Sequence, residues 1–257
     1  MAQTLLHRLP RSLELRARDA LDALAGRRDP LVPPRRLDFV GDSDFRATGE
    51  EFLRHFIELA GLSPHERVLD IGCGIGRMAR PLARYLGPDG SYDGFDIVPE
   101  GIAWCAGRYP PNFTFRLLDV HNARFHPAGG EPAERARFPY GDAAFDFAFA
   151  TSVFTHLRPD AADRYLAEAA RVLRPGGRAL LTFFLADEPV GYFVHRVGPA
   201  LAVDPDIPEE AIAYPEAWVR ERAATHGLRV REPVHPGTWR GSGEGRSFQD
   251  IVVLERA

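Results

Sequence analysis

Short apolar runs alternate with amphipathic stretches along most of this chain. RVLDI (67–71), YDGFDIV (92–98), FTFRLLDV (113–120), FDFAFATS (145–152) and RALLTFFL (178–185) have strand length, and several are apolar enough to be buried on both faces. Helical periodicity fills the gaps at about 75–86, 99–108 and 159–173, and Pro81 predicts a kink or late start in the first of these. Five βα repeats at this spacing predict a parallel, doubly wound α/β sheet.

The flanks follow other patterns. Phe52, Phe56 and Leu59 form an apolar stripe ended by Gly61, and Thr48 with Glu51 has capping-box spacing. RPGG (174–177) reads as a turn, and the connection over 121–144 is longer than a βα loop needs. After a loop over 186–214, YPEAWVRERAATHGL (214–228) predicts a last helix. RVREPV and SFQDIVVLER then predict a C-terminal hairpin with one antiparallel strand. At the other end, Leu9, Leu13, Ala17, Leu21 and Leu24 fall at helical spacing over 9–25, before a Pro-rich connector, PLVPPRR (30–36).

Composition narrows the function classes. No apolar run reaches the roughly 18–20 residues of a membrane span, and the N-terminus lacks a signal-peptide core. Cys73 and Cys105 are too few for a disulfide framework, so a cytoplasmic setting is expected. All 32 basic side chains are arginine, which excludes lysine Schiff-base chemistry and a Walker-type phosphate lysine. A net charge of −4 argues against a nucleic-acid surface. Residues 1–36 run against that balance, with eight arginines facing Glu14, Asp19, Asp22 and Asp29. The basic helix has the composition to lie on an acidic membrane or partner. Packing over its own active site or a neighbouring subunit, as in a homodimer, is the preferred reading.

The chemistry is concentrated in VLDIGCGIGRMA (68–79). A dinucleotide fingerprint would be GxGxxG, but here Gly72, Gly74 and Gly76 alternate and Arg77 takes the place of the third glycine. Asp70 at the strand end suits a ligand amino group better than two phosphates. Asp96 ends the second strand, placed to accept from ribose hydroxyls, and Asp119 ends the third, placed to accept from an exocyclic adenine amine. Three carboxylates at successive strand ends describe a ligand with an amino acid, a ribose and an adenine but no phosphate. That ligand is S-adenosylmethionine (SAM).

With these motifs the chain resembles the class I SAM-dependent methyltransferases from about residue 45 onward. VLDIGCGIGRMA matches the first motif, GFDIV the acidic second-strand motif, LLDV the third, FPYGDAAFDFAFATSVFTHL the fourth-strand region and RVLRPGGRALLTFF the fifth. The resemblance implies a seven-stranded sheet with the last hairpin antiparallel. It also implies a division into an Arg-rich helical extension or lid (1–44) and a methyltransferase domain (45–257). Asp70, Gly72, Cys73, Gly74 and Gly76 would line the methionine end, Asp96 and Ile97 the ribose, Asp119 and Val120 the adenine, and Thr151 the methionine moiety.

The acceptor side is less determined. His156, just past the fourth strand, is either a general base for a hydroxyl nucleophile or a structural histidine capping the next helix. Tyr192 and His195 are candidate acceptor contacts. Trp239, beside Arg240, Ser242 and His235, reads either as a sugar platform or as a hairpin plug. His121, Asp119 and His126 lack the spacing of a metal site, and no metal is expected. The overall pattern is similar to bacterial enzymes of glycan and glycolipid assembly. O-methylation of a sugar hydroxyl is the expectation, with N- or O-methylation of a small natural product or amine as the alternative.

Overall fold

Alternation within the strands decides which of two cores each side chain joins. A computed structural model describes residues 19, 29–37, 43–241 and 243–257. The basic helix expected over 9–25, apart from Asp19, and Ser242 lie outside the described residues. Five parallel strands, β1 (Arg67–Ile71), β2 (Ser91–Asp96), β3 (Phe113–Leu117), β4 (Phe145–Ala150) and β5 (Leu173–Leu185), stand in the order β3-β2-β1-β4-β5. In β4, Ala148 and Ala150 join the core under one face, while Phe147 and Phe149 join the core under the other.

The second core is covered by α1 (Phe45–Glu58), whose fully buried Phe56 meets Phe149 and Phe147 at ring separations of 4.3 and 5.4 Å. Burying such a ring is worth about 1.5–3 kcal/mol. The cap of α1 is Asp44, which accepts from Ala47 N at 2.7 Å. Thr48 and Glu51 therefore sit within the helix, and the capping box expected there does not form. α2 (Ala79–Tyr85) starts late, with Pro81 in its first turn, where the missing N–H costs nothing. α3 (Pro99–Cys105) follows β2, and α4 (Pro159–Val172) follows β4 and covers the first core.

The sheet is wider than the expected seven strands. The segment read as a loop over 186–214 holds β6 (His195–Val197), β7 (Ala200–Ala202) and β8 (Ile212–Tyr214), which extend the sheet from the last residues of β5. These strands are only three residues each, too short for periodicity to register. The seven-stranded core is nonetheless present. After α5 (Glu216–Thr225), β9 (Leu228–His235) and β10 (Asp250–Arg256) return as an antiparallel hairpin, with β10 against β5.

The chain leaves β1 for β2 on one side and later returns to place β4 on the other, so a crevice opens between their carboxyl ends. The Pro-rich connector is tied to this frame. Arg80, almost fully buried, donates to Asp29 at 2.8 Å and to Glu50 at 3.0 Å.

Candidate active site

A cavity of about 320 Å³ opens at the carboxyl ends of β1, β2 and β4, within the roughly 300–1,000 Å³ typical of small-ligand sites. The glycine loop forms its floor and is pinned to β2. Gly72 N and Cys73 N both donate to Phe95 O at 2.9 Å, and Gly74 N donates to the Asp96 carboxylate at 2.7 Å. Gly72 has φ +76°, and a Cβ there would sit 2.4 Å from Val153 Cγ2. The loop thus passes close under the residue following β4 and leaves its upper side to the cavity. Gly76 has another role: a Cβ on it would strike the Tyr109 hydroxyl at 2.5 Å.

Asp70 and Asp96 meet in this cavity, both buried. One oxygen of Asp70 accepts from the Tyr92 hydroxyl at 2.7 Å, while the other has no partner. Burial raises the Asp70 carboxyl to about 8, and the neighbouring Asp96 adds to this, against the opposing pull of Tyr92 and Arg77. Burial also raises Asp96, although the N–H groups of Val98, Gly74 and Ile97 work against it. Each Asp96 oxygen holds one short backbone bond, to Val98 N at 2.8 Å and Gly74 N at 2.7 Å. Each keeps a lone pair for a ligand hydroxyl. The orphaned Asp70 oxygen needs a donor, and a ligand ammonium is the donor that would also restore its charge.

Cys73, Ile97 and Thr151 line the same cavity, whereas Asp119 and Val120 do not. Asp119 is exposed and accepts from Gly130 N at 3.1 Å and His126 Nε2 at 3.2 Å. These bonds close the long connection after β3 and hold the Asp119 carboxyl below its usual range. Val120 belongs to the core. Among the described residues no group of three metal-ligating side chains converges.

His156 lines the cavity, and the cap position of α4 is Arg158, so the helix-capping reading does not hold. The imidazole Nδ1 lies 3.0 Å from Glu209 O. A carbonyl only accepts, so Nδ1 carries the hydrogen and Nε2 is the basic nitrogen. Burial lowers the His156 pKa and keeps the ring neutral. The turn holding it is braced by the inserted strands. Tyr214 donates its hydroxyl to Leu157 O at 2.5 Å, Asn122 Nδ2 donates to His156 O at 2.9 Å, and Phe125 packs edge-on against the imidazole. Arg124 and Glu210 pair at 2.6 Å where both line the cavity.

Tyr192, His195, Trp239 and Arg240 are not brought into the cavity. Tyr192 is 83% exposed, and His195 stands on the outermost strand. Trp239 donates its indole N–H to Asp250 at 2.7 Å and packs on Phe184 and Phe193, while Arg240 lies over its ring. Trp239 is a plug for the hairpin, and the sugar platform expected there does not form.

Sequence reasoning missed Ser152. It lines the cavity with φ +61°, a conformation that costs a non-glycine residue about 1–3 kcal/mol. A closed ring of hydrogen bonds holds it: Ser152 N to Thr182 Oγ1 at 2.8 Å, Thr182 to Gln249 at 2.6 Å, and Gln249 Nε2 to Ser152 Oγ at 2.9 Å. Nothing local to Ser152 announces this, because its partners lie 30 and 97 residues away.

Residues 68–177 match the family model described as a methyltransferase domain. The chain is similar to a demethylmenaquinone methyltransferase from Beutenbergia cavernae, with 27% identity over 87% of this chain and 86% of that one. It is 35% identical over 127 residues to a phthiotriol/phenolphthiotriol dimycocerosates methyltransferase of Mycobacterium ulcerans, covering 49% of this chain but only 39% of that longer relative. A 1,6-didemethyltoxoflavin-N1-methyltransferase from Burkholderia thailandensis, solved with S-adenosylhomocysteine (SAH), has the same fold at a TM-score of 0.56. It is 20% identical and aligns over 95% of this chain and 87% of its own. The [4+2]-cyclase SpnF also shares the fold at 0.56, with 18% identity over 84% of this chain and 85% of its own, so architecture alone does not choose a reaction. The family model, matched over residues 68–177, does. Those residues carry a methyltransferase domain, on the fold shared with SAM-dependent methyltransferases.

Proposed function

We propose that this enzyme methylates a hydroxyl oxygen of a polyhydroxylated acceptor, a sugar or glycolipid head group, with His156 as general base. The observation that carries the reading is the neutral imidazole at the cavity wall, its Nδ1–H fixed on Glu209 O and its Nε2 left basic. An alcohol gives up its proton as it attacks, and a positioned base contributes about 10²–10⁴ in rate.

SAM, when bound, supplies a methyl already activated by its sulfonium. Asp70 would hold the amino group, Asp96 the ribose hydroxyls, and the glycine loop would let the backbone approach closely. The methyl group of SAM would be taken by the acceptor oxygen, with the thioether as leaving group, and Nε2 of His156 would receive the hydroxyl proton. Phe125 and Leu157, against and beside the imidazole, keep water from competing for that proton. In this reading residues 1–44 are an extension to the catalytic domain, and near its boundary Arg77, in the cavity lining, donates to Ser43 at 2.8 Å. Residues 45–257 carry the transfer.

The test is the pH profile of His156→Gln. With a hydroxyl acceptor the wild type should keep kcat down through the ordinary histidine value of about 6.5 and lose it at lower pH, because burial lowers this imidazole. The variant should lose at least about 100-fold at neutral pH and show no such limb. Retained activity with an unchanged profile would remove His156 as base. A second reading, an aromatic ring acceptor, is favoured by the similarity over 87% of the chain to a demethylmenaquinone methyltransferase.

A further inference from the structure

Glycine takes a positive φ without strain, and eleven of the described glycines do so. Among the described residues only Ala143 and Ser152 adopt such angles with a side chain, and of the two Ser152 lines the cavity. A glycine at 152 would make the same turn, so what the strain retains is the hydroxyl. The ring around Ser152 settles where the protons go. Fully buried Thr182 accepts from Ser152 N and gives its one hydroxyl hydrogen to Gln249 Oε1. The Gln249 amide then donates to Ser152 Oγ at 2.9 Å. The hydroxyl hydrogen of Ser152 stays outside the ring, with no partner among the described residues. Both tethers come from β5 and the residue before β10, on the flank of β4 away from β1 and β2. Asp70 and Asp96 line the side of β1 and β2, so Ser152 stands in the other half, on the same segment after β4 as His156.

We propose that Ser152 is a specificity residue for the acceptor: its hydroxyl donates to a second oxygen beside the one that is methylated, so the enzyme takes a vicinal pair of oxygens. The inference rests on the reading of an oxygen acceptor and deepens it. A donor on the attacking oxygen itself would tie down the lone pair that forms the new bond. On the neighbouring oxygen it orients the acceptor without that loss. A sugar diol and an aromatic ring diol both offer such a pair. Thr182 and Gln249 are positioning residues. They hold the turn and the hydroxyl in place before the acceptor arrives, so little freedom is lost when it binds.

The experiment measures methyl transfer from labelled SAM, by the full chain, to two pairs of isomers. One pair is cyclohexanediol with adjacent hydroxyls against cyclohexanediol with opposite hydroxyls, standing for a sugar; the other is catechol against hydroquinone. In the pair that matches the acceptor's source, the adjacent isomer should react with kcat/KM about three- to tenfold higher, the worth of one neutral hydrogen bond. Ser152→Ala and Ser152→Gly should both bring that ratio to about one and leave SAH affinity unchanged. Ser152→Gly should also melt above the wild type, because glycine relieves the strain at φ +61°. Loss of the preference then has no origin in instability. Gln249→Ala should lose part of the ratio. A wild-type ratio of about one in both pairs, a ratio that survives Ser152→Gly, or transfer to none of the four would overturn the proposal. A ratio that survives His156→Gln and vanishes in Ser152→Gly would keep Ser152 and retire the base. Transfer abolished by His156→Gln, with a ratio untouched by Ser152→Gly, would do the reverse.

Discussion

Replacing Asp70 by asparagine isolates the group that the cavity leaves unsatisfied. The side chain keeps its shape, and its amide oxygen can still accept from the Tyr92 hydroxyl, 2.7 Å away in the wild type. The charge is lost. A charge-assisted hydrogen bond to a ligand ammonium is worth about 1.5–3 kcal/mol, so SAM and SAH affinity should fall roughly tenfold to a hundredfold. The wild type has a second signature. With its carboxyl raised to about 8 by burial, Asp70 is mostly protonated in the free chain at pH 7. Pairing with the ligand ammonium releases that proton. Calorimetry in phosphate and in Tris should therefore show close to one proton released at pH 7, and affinity rising by nearly tenfold per pH unit below about 8. Stability runs the other way. A raised carboxyl pKa favours the folded ligand-free chain most below the ordinary value of 3.8, and that contribution is lost as pH rises through about 8. Asp70→Asn should lose both the proton release and this stability trend. Equal SAH affinity in the variant, or proton release undiminished, would refute the assignment of Asp70 to the ligand amine.

Three further outcomes follow from the packing. Gly72→Ala should lose SAH binding by at least about 100-fold, because its Cβ meets Val153 at 2.4 Å. Gly72→Ala with Val153→Ala should recover only part of this, since φ +76° itself costs about 1–2 kcal/mol. Gln249→Ala opens the ring that holds Ser152, and should lower kcat with little change in melting temperature; an unaltered kcat would reduce that ring to a structural detail. Arg80→Met removes the cation from Asp29 and leaves Glu50 to Arg84 alone, and should destabilise the fold by about 2 kcal/mol, a figure reduced for the partial exposure of both carboxylates. Denaturant unfolding gives the value, and a shift under about 0.5 kcal/mol would show that the connector is held otherwise.

The legible parts of this molecule were those with a local period or a local motif. The five parallel strands follow from apolar runs, and the late start of α2 from Pro81. Asp70 and Asp96 follow from their places at strand ends beside alternating glycines. What stayed hidden depends on partners distant in sequence. Glu209 sets the tautomer of His156 across 53 residues, and Tyr92 reaches Asp70 across 22. Asp119 lies two residues past the end of β3, and Gly130 and His126 engage its carboxylate, which no spacing rule foresees. The two readings of Trp239, platform or plug, stayed open because Asp250 and Phe184, which decide for the plug, are invisible from its own neighbourhood. The three-residue strands of the insertion carry no period at all.

The most direct test of the central claim is methyl transfer from SAM labelled in its methyl group to separated fractions of sugars and glycolipids, phenols and quinols, amines, and RNA. The account predicts label on a sugar oxygen, identified by mass spectrometry of the product, and loss of that label with His156→Gln. Label confined to ring carbons or amines, undiminished in the variant, would contradict it.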